Sequence, residues 1–129
     1  MAPPLMTGLA CEWLRSGLAG EITNAVRAEA LARQEIARTI LSRAFAATDA
    51  GLHLWHPLKS ELRSAELADI ARRRGLAISP AEEFAIGADF ANGFRLALGA
   101  TPNRERLKEG LQSLASILSG TADFSRPKV

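Results

Sequence analysis

An arginine in a short alternating segment is the residue whose placement best indicates a binding function. In the segment 93–98, Phe94, Leu96 and Leu98 alternate with Arg95 and Ala97, which is the period of a strand with one buried face. The arginine lies on the face opposite the large apolar groups. Such a cation must either reach water at a sheet edge or face a cleft that binds an anion. Arg95 is therefore a candidate anion-binding residue.

The alternative role for Arg95 is a structural ion pair. Glu82, Glu83 and Asp89 lie in segments expected to be its neighbours in the sheet, and any of them could neutralise the guanidinium. The two adjacent glutamates are not candidates for general acid–base catalysis, because no histidine, serine or metal-ligand partner occurs at a suitable spacing. Residue pattern alone leaves both roles of Arg95 open.

The histidines and the cysteine do not predict a metal or a catalytic centre. His53 and His56 are the only histidines, and three residues apart in an extended segment they point to opposite faces, so they cannot jointly bind one metal. Cys11 is the only cysteine, which excludes a disulfide or a cysteine-based metal site within one chain and favours a reducing cytoplasm. With no Gly-rich phosphate loop either, we predict no catalytic, metal-binding or cofactor-binding residue in this chain.

Charge and hydropathy give little support for two further classes of partner. The 129 residues carry 16 basic and 14 acidic groups, and a net charge of +2 is weak evidence for nucleic-acid binding. The basic triplet Arg72-Arg73-Arg74 falls in the last turn of a predicted helix, where cations interact favourably with the helix dipole. No apolar run is long enough to span a membrane, and residues 1–6 do not resemble a signal peptide. We expect a cytoplasmic protein that does not bind membranes.

The elements that position Arg95 are predicted to form one α+β domain over residues 1–129. Its architecture is a small, mainly antiparallel sheet packed by helices, with one long N-terminal helix. The pattern predicts helices near 5–16, 21–46, 64–74 and 102–119, the last opened by Thr101 as N-cap and Pro102. Strands are predicted at 52–58, 76–80, 82–87 and 93–98, a turn at 48–51, and a flexible tail at 120–129.

Several segments, taken in order, resemble one family of proteins. They read GLHLWHPL at 51–58, RGLAISP at 74–80, Phe84, FRLALG at 94–99, and then a helix that follows Thr-Pro. Together they resemble the small C-terminal domain of fold-type-I pyridoxal-phosphate-dependent aminotransferases. The similarity is greater to the aminotransferase-like domain of the MocR branch of GntR-type transcriptional regulators. It extends over roughly residues 3–119.

The resemblance implies a function for Arg95 and a larger parent protein. In such proteins the arginine at this position binds the α-carboxylate of an amino acid joined to pyridoxal phosphate. In the regulators, an N-terminal winged helix binds DNA and the aminotransferase-like part senses an amino-acid-like effector, so a homodimeric regulator is the expectation. The alternatives are the substrate-clamping domain of a true aminotransferase, and a module that self-associates through the long helix or the apolar stripe Met6–Trp13.

The chain also departs from the family pattern. The large domain, with its Schiff-base lysine, its aspartate and its phosphate cup, has no counterpart here. None of the three lysines, Lys59, Lys108 and Lys128, lies at a family cofactor position, and no DNA-binding domain is present. Glu82-Glu83 stand where the family often has Gly-Ser, so the substrate class cannot be carried over. Pyridoxal phosphate is therefore expected in the full-length parent and not in this chain by itself.

Overall fold

Four helices and a four-stranded antiparallel sheet make up the part of the chain that the computed structural model describes, residues 3–41, 46–47, 51–58, 62–87 and 89–124. The helices are α1 (Pro4–Ser16), α2 (Leu18–Leu41), α3 (Ser64–Arg73) and α4 (Arg104–Phe124). The strands are β1 (Ala46–Ala47), β2 (His53–Pro57), β3 (Ser79–Pro80) and β4 (Gly93–Ala97), and single 3₁₀ turns cover Ala81–Glu83 and Leu98–Ala100.

The sheet has the order β1-β2-β4-β3, and its centre is the pairing of β2 with β4. That pairing runs over five residues, from His53 opposite Ala97 to Pro57 opposite Gly93. The two-residue strands β1 and β3 add to its outer sides. Pro57 is the last residue of β2, a position that suits a residue without an amide donor. The predicted α+β class with a small antiparallel sheet is confirmed.

The hydrophobic core lies on one face of this sheet. Helices α2, α3 and α4 each contribute small or branched apolar side chains that pack on alternate residues of β2 and β4. The buried set is Ala37, Leu41, Leu54, Leu67, Ala71, Phe94, Leu96, Leu98, Leu107, Leu111, Leu114 and Ile117. Full burial of a Leu or Phe side chain stabilises the fold by about 1.5–3 kcal/mol. Since these helices all pack on one face, the other face of the sheet, which carries Arg95, is left without a helical layer.

A buried arginine joins the long helix α2 to the end of β4. Arg33 is only 7% exposed, and its Nη1 donates hydrogen bonds to the carbonyl oxygens of Leu98 (2.7 Å) and Thr101 (3.0 Å). Its Nε donates to Glu29 Oε1 at 2.7 Å. Glu29 in turn accepts hydrogen bonds from Arg104 at the start of α4. These contacts attach both helices to the segment that follows β4.

The N-terminal part of the chain is less buried than the rest. Helix α1 ends at Ser16, and Gly17, with a φ of 84°, separates it from α2, a conformation that glycine adopts without strain. No residue of α1 is buried, and the buried residues of α2 begin only at Ala30. Several large apolar side chains of this region are therefore exposed, among them Leu5, Met6, Leu9, Trp13, Leu14, Ile22 and Val26.

Three predicted elements differ from the structure. Helix α2 begins before residue 21 and its described part ends at Leu41, while Ala46, predicted as the end of the helix, pairs with β2 together with Ala47. Residues 82–87 do not form a strand, because Pro80 ends β3 and the chain turns through Ala81–Glu83. Of the predicted strand 76–80, only Ser79–Pro80 pair. Most of the predicted turn at 48–51 lies outside the described residues.

The ends of α4 also differ from the prediction. Asn103, not Thr101, caps the helix, since its Oδ1 accepts a hydrogen bond from the Arg106 amide at 2.9 Å. Thr101 instead accepts from Arg33 through its hydroxyl and its carbonyl oxygen. Gly120 does not end the helix, which continues to Phe124. Residues 125–129 of the predicted tail lie outside the described part of the chain.

Candidate anion-binding site on the open face of the sheet

Arg95 is the middle residue of β4, on the sheet face opposite the core. Its cross-strand partners are Trp55 of β2 and Ser79 of β3, and directly paired residues of antiparallel strands project from the same face. Phe94 and Leu96, on either side of it, are buried in the core. The predicted alternation of this segment is therefore confirmed, and a row of Trp55, Arg95 and Ser79 crosses the open face.

The guanidinium of Arg95 is covered by an aromatic ring and has no charged partner among the described residues. Its Cζ lies 4.6 Å from the centre of the Phe84 ring, within the range of a cation–π contact. Its Nε is buried and donates no hydrogen bond. Across the described part of the chain, no ion pair joins Arg95 to a carboxylate. The alternative in which Glu82, Glu83 or Asp89 neutralises Arg95 is therefore wrong.

Glu82 is unavailable to Arg95 because it is bonded to the start of α3. Ser64 Oγ donates a hydrogen bond to Glu82 Oε2 at 2.6 Å, and this bond is the main reason that the pKa of Glu82 lies below its usual value. Arg63 lies 3.8 Å from the other carboxylate oxygen. Ser64 Oγ also accepts from the amide of Ala81 at 3.3 Å. Ser64 thus attaches the start of α3 to the segment after β3.

Asn92 completes this polar cluster from the residue before β4. Its Oδ1 accepts a hydrogen bond from the Ser64 amide at 2.9 Å, which satisfies an amide at the N-terminus of α3. Its Nδ2 donates to the carbonyl of Leu62 at 2.8 Å, and its own carbonyl accepts from the Leu58 amide at 3.0 Å. The sequence gives no signal for this role, because these partners lie about 30 residues away in the chain.

The close approach of Trp55 to β4 requires a glycine at position 93. A Cβ added to Gly93 would lie 2.8 Å from the indole Cζ2 of Trp55 and 2.8 Å from the carbonyl oxygen of His56. Ordinary Cβ contacts are longer, so any side chain here would displace the indole or the strand. Gly93 thus keeps Trp55 against the sheet beside Arg95.

The two histidines lie on opposite faces of β2, as predicted. His53 is exposed, whereas His56 is buried and its ring centre lies 5.0 Å from that of Phe94. Burial lowers the pKa of His56 below 6.5, so the neutral ring is favoured in the core. Within the described residues, no cluster of three or more His, Cys, Asp or Glu side chains could hold a metal ion.

Arg72 and Lys108 do not extend the site. Arg72, at the end of α3 as predicted, pairs with Asp69 at 2.6 Å on the same helix. Lys108 is the one lysine in the described part of the chain, since Lys59 and Lys128 lie outside it. It is exposed on α4, which packs on the core face and is thus separated from Arg95 by the sheet. Arg95 places a cation on the open face, but the described residues add no amine that could react with a carbonyl there.

Comparison with known proteins shows that this chain shares its fold with part of a solved structure. No protein-family model matches the chain, and a search of curated proteins finds no match. A solved structure that does match is LysN, an α-aminoadipate aminotransferase from Thermus thermophilus, complexed with N-(5′-phosphopyridoxyl)-L-leucine. The match has a TM-score of 0.72 at 24% identity and covers 90% of this chain. The chain therefore has an aminotransferase-like α+β fold.

The chain spans only 31% of the length of LysN. The shared fold therefore corresponds to one part of a longer enzyme, and the activity of that enzyme does not transfer with the fold. Within the described residues, no helix is both long and apolar enough to cross a membrane.

Proposed function

We propose that this chain is the C-terminal aminotransferase-like segment of a longer pyridoxal-phosphate-dependent protein, in which Arg95 binds the carboxylate of an amino-acid ligand. The observation that carries the proposal is the guanidinium of Arg95 on the open sheet face, which pairs with no carboxylate among the described residues. The fold shared with an enzyme that acts on an amino acid supports the choice of ligand class.

The chemistry of Arg95 suits a carboxylate. A guanidinium presents its donors in a planar fork that matches the two oxygens of a carboxylate, and such bidentate, charge-assisted bonds are stronger than neutral ones. The Phe84 ring lies over the face of the guanidinium. The ring therefore does not occupy the N–H donors, which lie along the edge of the guanidinium.

The described residues do not fit pyridoxal phosphate by themselves. A lysine amine beside the carboxylate site would be needed to bind the cofactor's aldehyde, and Lys108 is on the far side of the sheet. The cofactor-binding residues of the proposed protein would therefore come from outside the described residues. In that protein the role of this chain is to bind and orient the ligand's carboxylate.

The more specific proposal is that the parent is a MocR-type regulator of the GntR family. It rests on the resemblance of the segments 51–58, 74–80 and 94–99 to that branch. It includes a cytoplasmic homodimer that binds an amino-acid-like effector, with DNA contacted by a separate N-terminal domain. The second candidate is the clamping domain of a true aminotransferase, favoured by the match to LysN. Self-association through the exposed apolar residues of α1 is the third.

The coding sequence that precedes the codon for Met1 distinguishes the first two candidates. A winged-helix domain followed by a large aminotransferase-like domain would support the regulator. A large domain without a winged helix would support the enzyme. A reading frame that encodes neither would contradict both candidates and leave self-association as the remaining one.

The carboxylate role is tested by replacing Arg95 in the full-length protein loaded with pyridoxal phosphate. Calorimetric titration would use the common L-amino acids and L-α-aminoadipate. We expect Arg95→Gln to weaken binding about 10- to 100-fold, the value of one charged hydrogen bond, and Arg95→Lys to recover part of it. Arg72→Gln is the matched control, because Arg72 is exposed and pairs within α3. Equal affinities for the Arg95→Gln and unaltered proteins would contradict the proposal.

A further inference from the structure

We propose that Phe84 is a positioning residue for Arg95, which holds the guanidinium in the orientation that accepts a carboxylate. This inference rests on the proposed function of Arg95 and adds a second residue to that site. Phe84 does not contact the reacting atoms in this proposal. It acts through Arg95.

The first argument is the contact itself. An arginine side chain has several rotatable bonds, and an ion pair or hydrogen bonds normally fix its head group. The guanidinium of Arg95 has no ion pair among the described residues, and its Nε has no acceptor. The Phe84 ring, 4.6 Å from Arg95 Cζ, is thus the group that orients the guanidinium. A π contact orients the cation without neutralising its charge, which an acidic partner would do.

The second argument is the way in which Phe84 itself is held. The Phe84 amide closes the 3₁₀ turn by donating to the Ala81 carbonyl at 3.0 Å. That turn is fixed at its start, because Ala81 is buried and its amide donates to Ser64 Oγ. The Ser64–Glu82 bond fixes the middle of the turn. The polar cluster at the start of α3 thus sets the backbone position of Phe84.

The third argument is the exposure of the ring. Phe84 remains 46% exposed, although its backbone is bonded to the 3₁₀ turn. Core packing therefore does not explain its position. Ile86, two residues later, is 98% exposed and offers a matched control, because it is a large apolar residue of the same segment with no place in the proposed site.

The test separates carboxylate binding from binding of the rest of the ligand. The full-length protein loaded with pyridoxal phosphate is titrated with L-leucine and with isopentylamine, which is leucine without its carboxylate. We expect Phe84→Leu to weaken L-leucine binding about 2- to 30-fold, the span between an exposed and a desolvated cation–π contact. Isopentylamine affinity should change less than about twofold, since the amine does not use Arg95. Phe84→Trp, which keeps an aromatic ring, should retain leucine binding, and Ile86→Ala should alter neither affinity.

Two outcomes would overturn the inference. Equal weakening of L-leucine and isopentylamine by Phe84→Leu would mean that Phe84 contacts the body of the ligand or only supports the fold. Unchanged L-leucine binding would mean that Arg95 is oriented without the ring. If Phe84→Leu does not fold, Phe84→Met replaces it and must show the same selective loss. If Arg95→Gln weakens leucine binding and the Phe84 variants do not, only this inference fails; if Arg95→Gln has no effect, the proposed function fails.

Discussion

Replacement of Arg33 by methionine should destabilise the fold more than any comparable change on the surface of α2. Arg33 is 7% exposed, and its Nη1 satisfies the carbonyl oxygens of Leu98 and Thr101 directly after β4. Methionine is similar in length but donates no hydrogen bond. The Arg33→Met change therefore leaves two acceptors without their donor at the point where α2 is attached to the sheet.

The expected magnitude follows from the burial of these two acceptors. A buried polar group left unpaired costs about 1–3 kcal/mol. The Leu98 bond is buried and the Thr101 bond is partly buried, so the first should contribute near the upper end and the second near the lower. Glu29 keeps Arg104 as a partner and is not left alone. We expect a loss of about 4 kcal/mol in the free energy of unfolding, and a fall in melting temperature of roughly 15 °C.

The measurement is urea unfolding of the chain followed by circular dichroism, with Arg38→Met as the matched control. Arg38 lies on the same helix, is 38% exposed, pairs with Glu35 at 3.7 Å and donates one long, partly buried hydrogen bond to Gln34 at 3.3 Å, so its loss should cost about 1 kcal/mol, less than the loss of Arg33. Equal destabilisation by the two changes would refute the reasoning, since it would show that the buried bonds of Arg33 contribute no more than a surface pair.

Acid titration provides a second readout of the same contact. Hydrogen bonds from Arg104 and then from Arg33 lower the pKa of Glu29 from 4.5 to about 2. A carboxyl with a depressed pKa in the folded state contributes stability that is present above pH 4.5 and is lost as the pH falls toward 2. Arg33→Met should weaken this pH dependence without abolishing it, because Arg104 remains.

Two further predictions concern the central strands. Burial holds the pKa of His56 below 6.5, so the unfolded chain binds a proton that the folded chain excludes, and stability should fall as the pH drops below about 6.5. In urea midpoints measured between about pH 8 and 5, His56→Gln should remove this pH dependence of stability. His53→Gln, on the exposed face, should retain it. Gly93→Ala should cost about 1–3 kcal/mol of stability through the clash with Trp55. Gly110→Ala, in α4 with only an ordinary contact 3.6 Å away, should stabilise the fold by about 0.5–1 kcal/mol. Thermal melts in which both changes shift the melting temperature in the same direction would contradict this contrast.

Elements with a strong local pattern could be predicted from the sequence. Helix α1, strand β2, helix α3 and strand β4 lie within a few residues of their predicted bounds, because periodic burial and glycine at a helix end act over short stretches of chain. Gly75, for example, follows α3 with a φ of 75°, the conformation expected after a helix. The face of β4 that carries Arg95 follows from the same alternation.

Boundaries set by distant residues could not be predicted. Thr101 is a good N-cap by type, but Arg33, 68 residues earlier, uses its oxygen atoms, and Asn103 caps the helix instead. Glu82 looked available to Arg95, but Ser64, 18 residues earlier, donates to it. In each case a local preference of less than about 2 kcal/mol is outweighed by a tertiary hydrogen bond that no short window of sequence contains.

Because Glu82 is bonded to Ser64, it does not neutralise the charge of Arg95. An arginine that served only to stabilise the sheet would be expected to pair with a nearby acid, and a glutamate is close in the same segment of chain. The fold instead bonds that glutamate to Ser64, places an uncharged ring over the cation, and leaves a buried donor unsatisfied at a cost of about 1–3 kcal/mol. Those contacts keep the positive charge of Arg95 available, which an anion-binding face requires and a purely structural arginine does not.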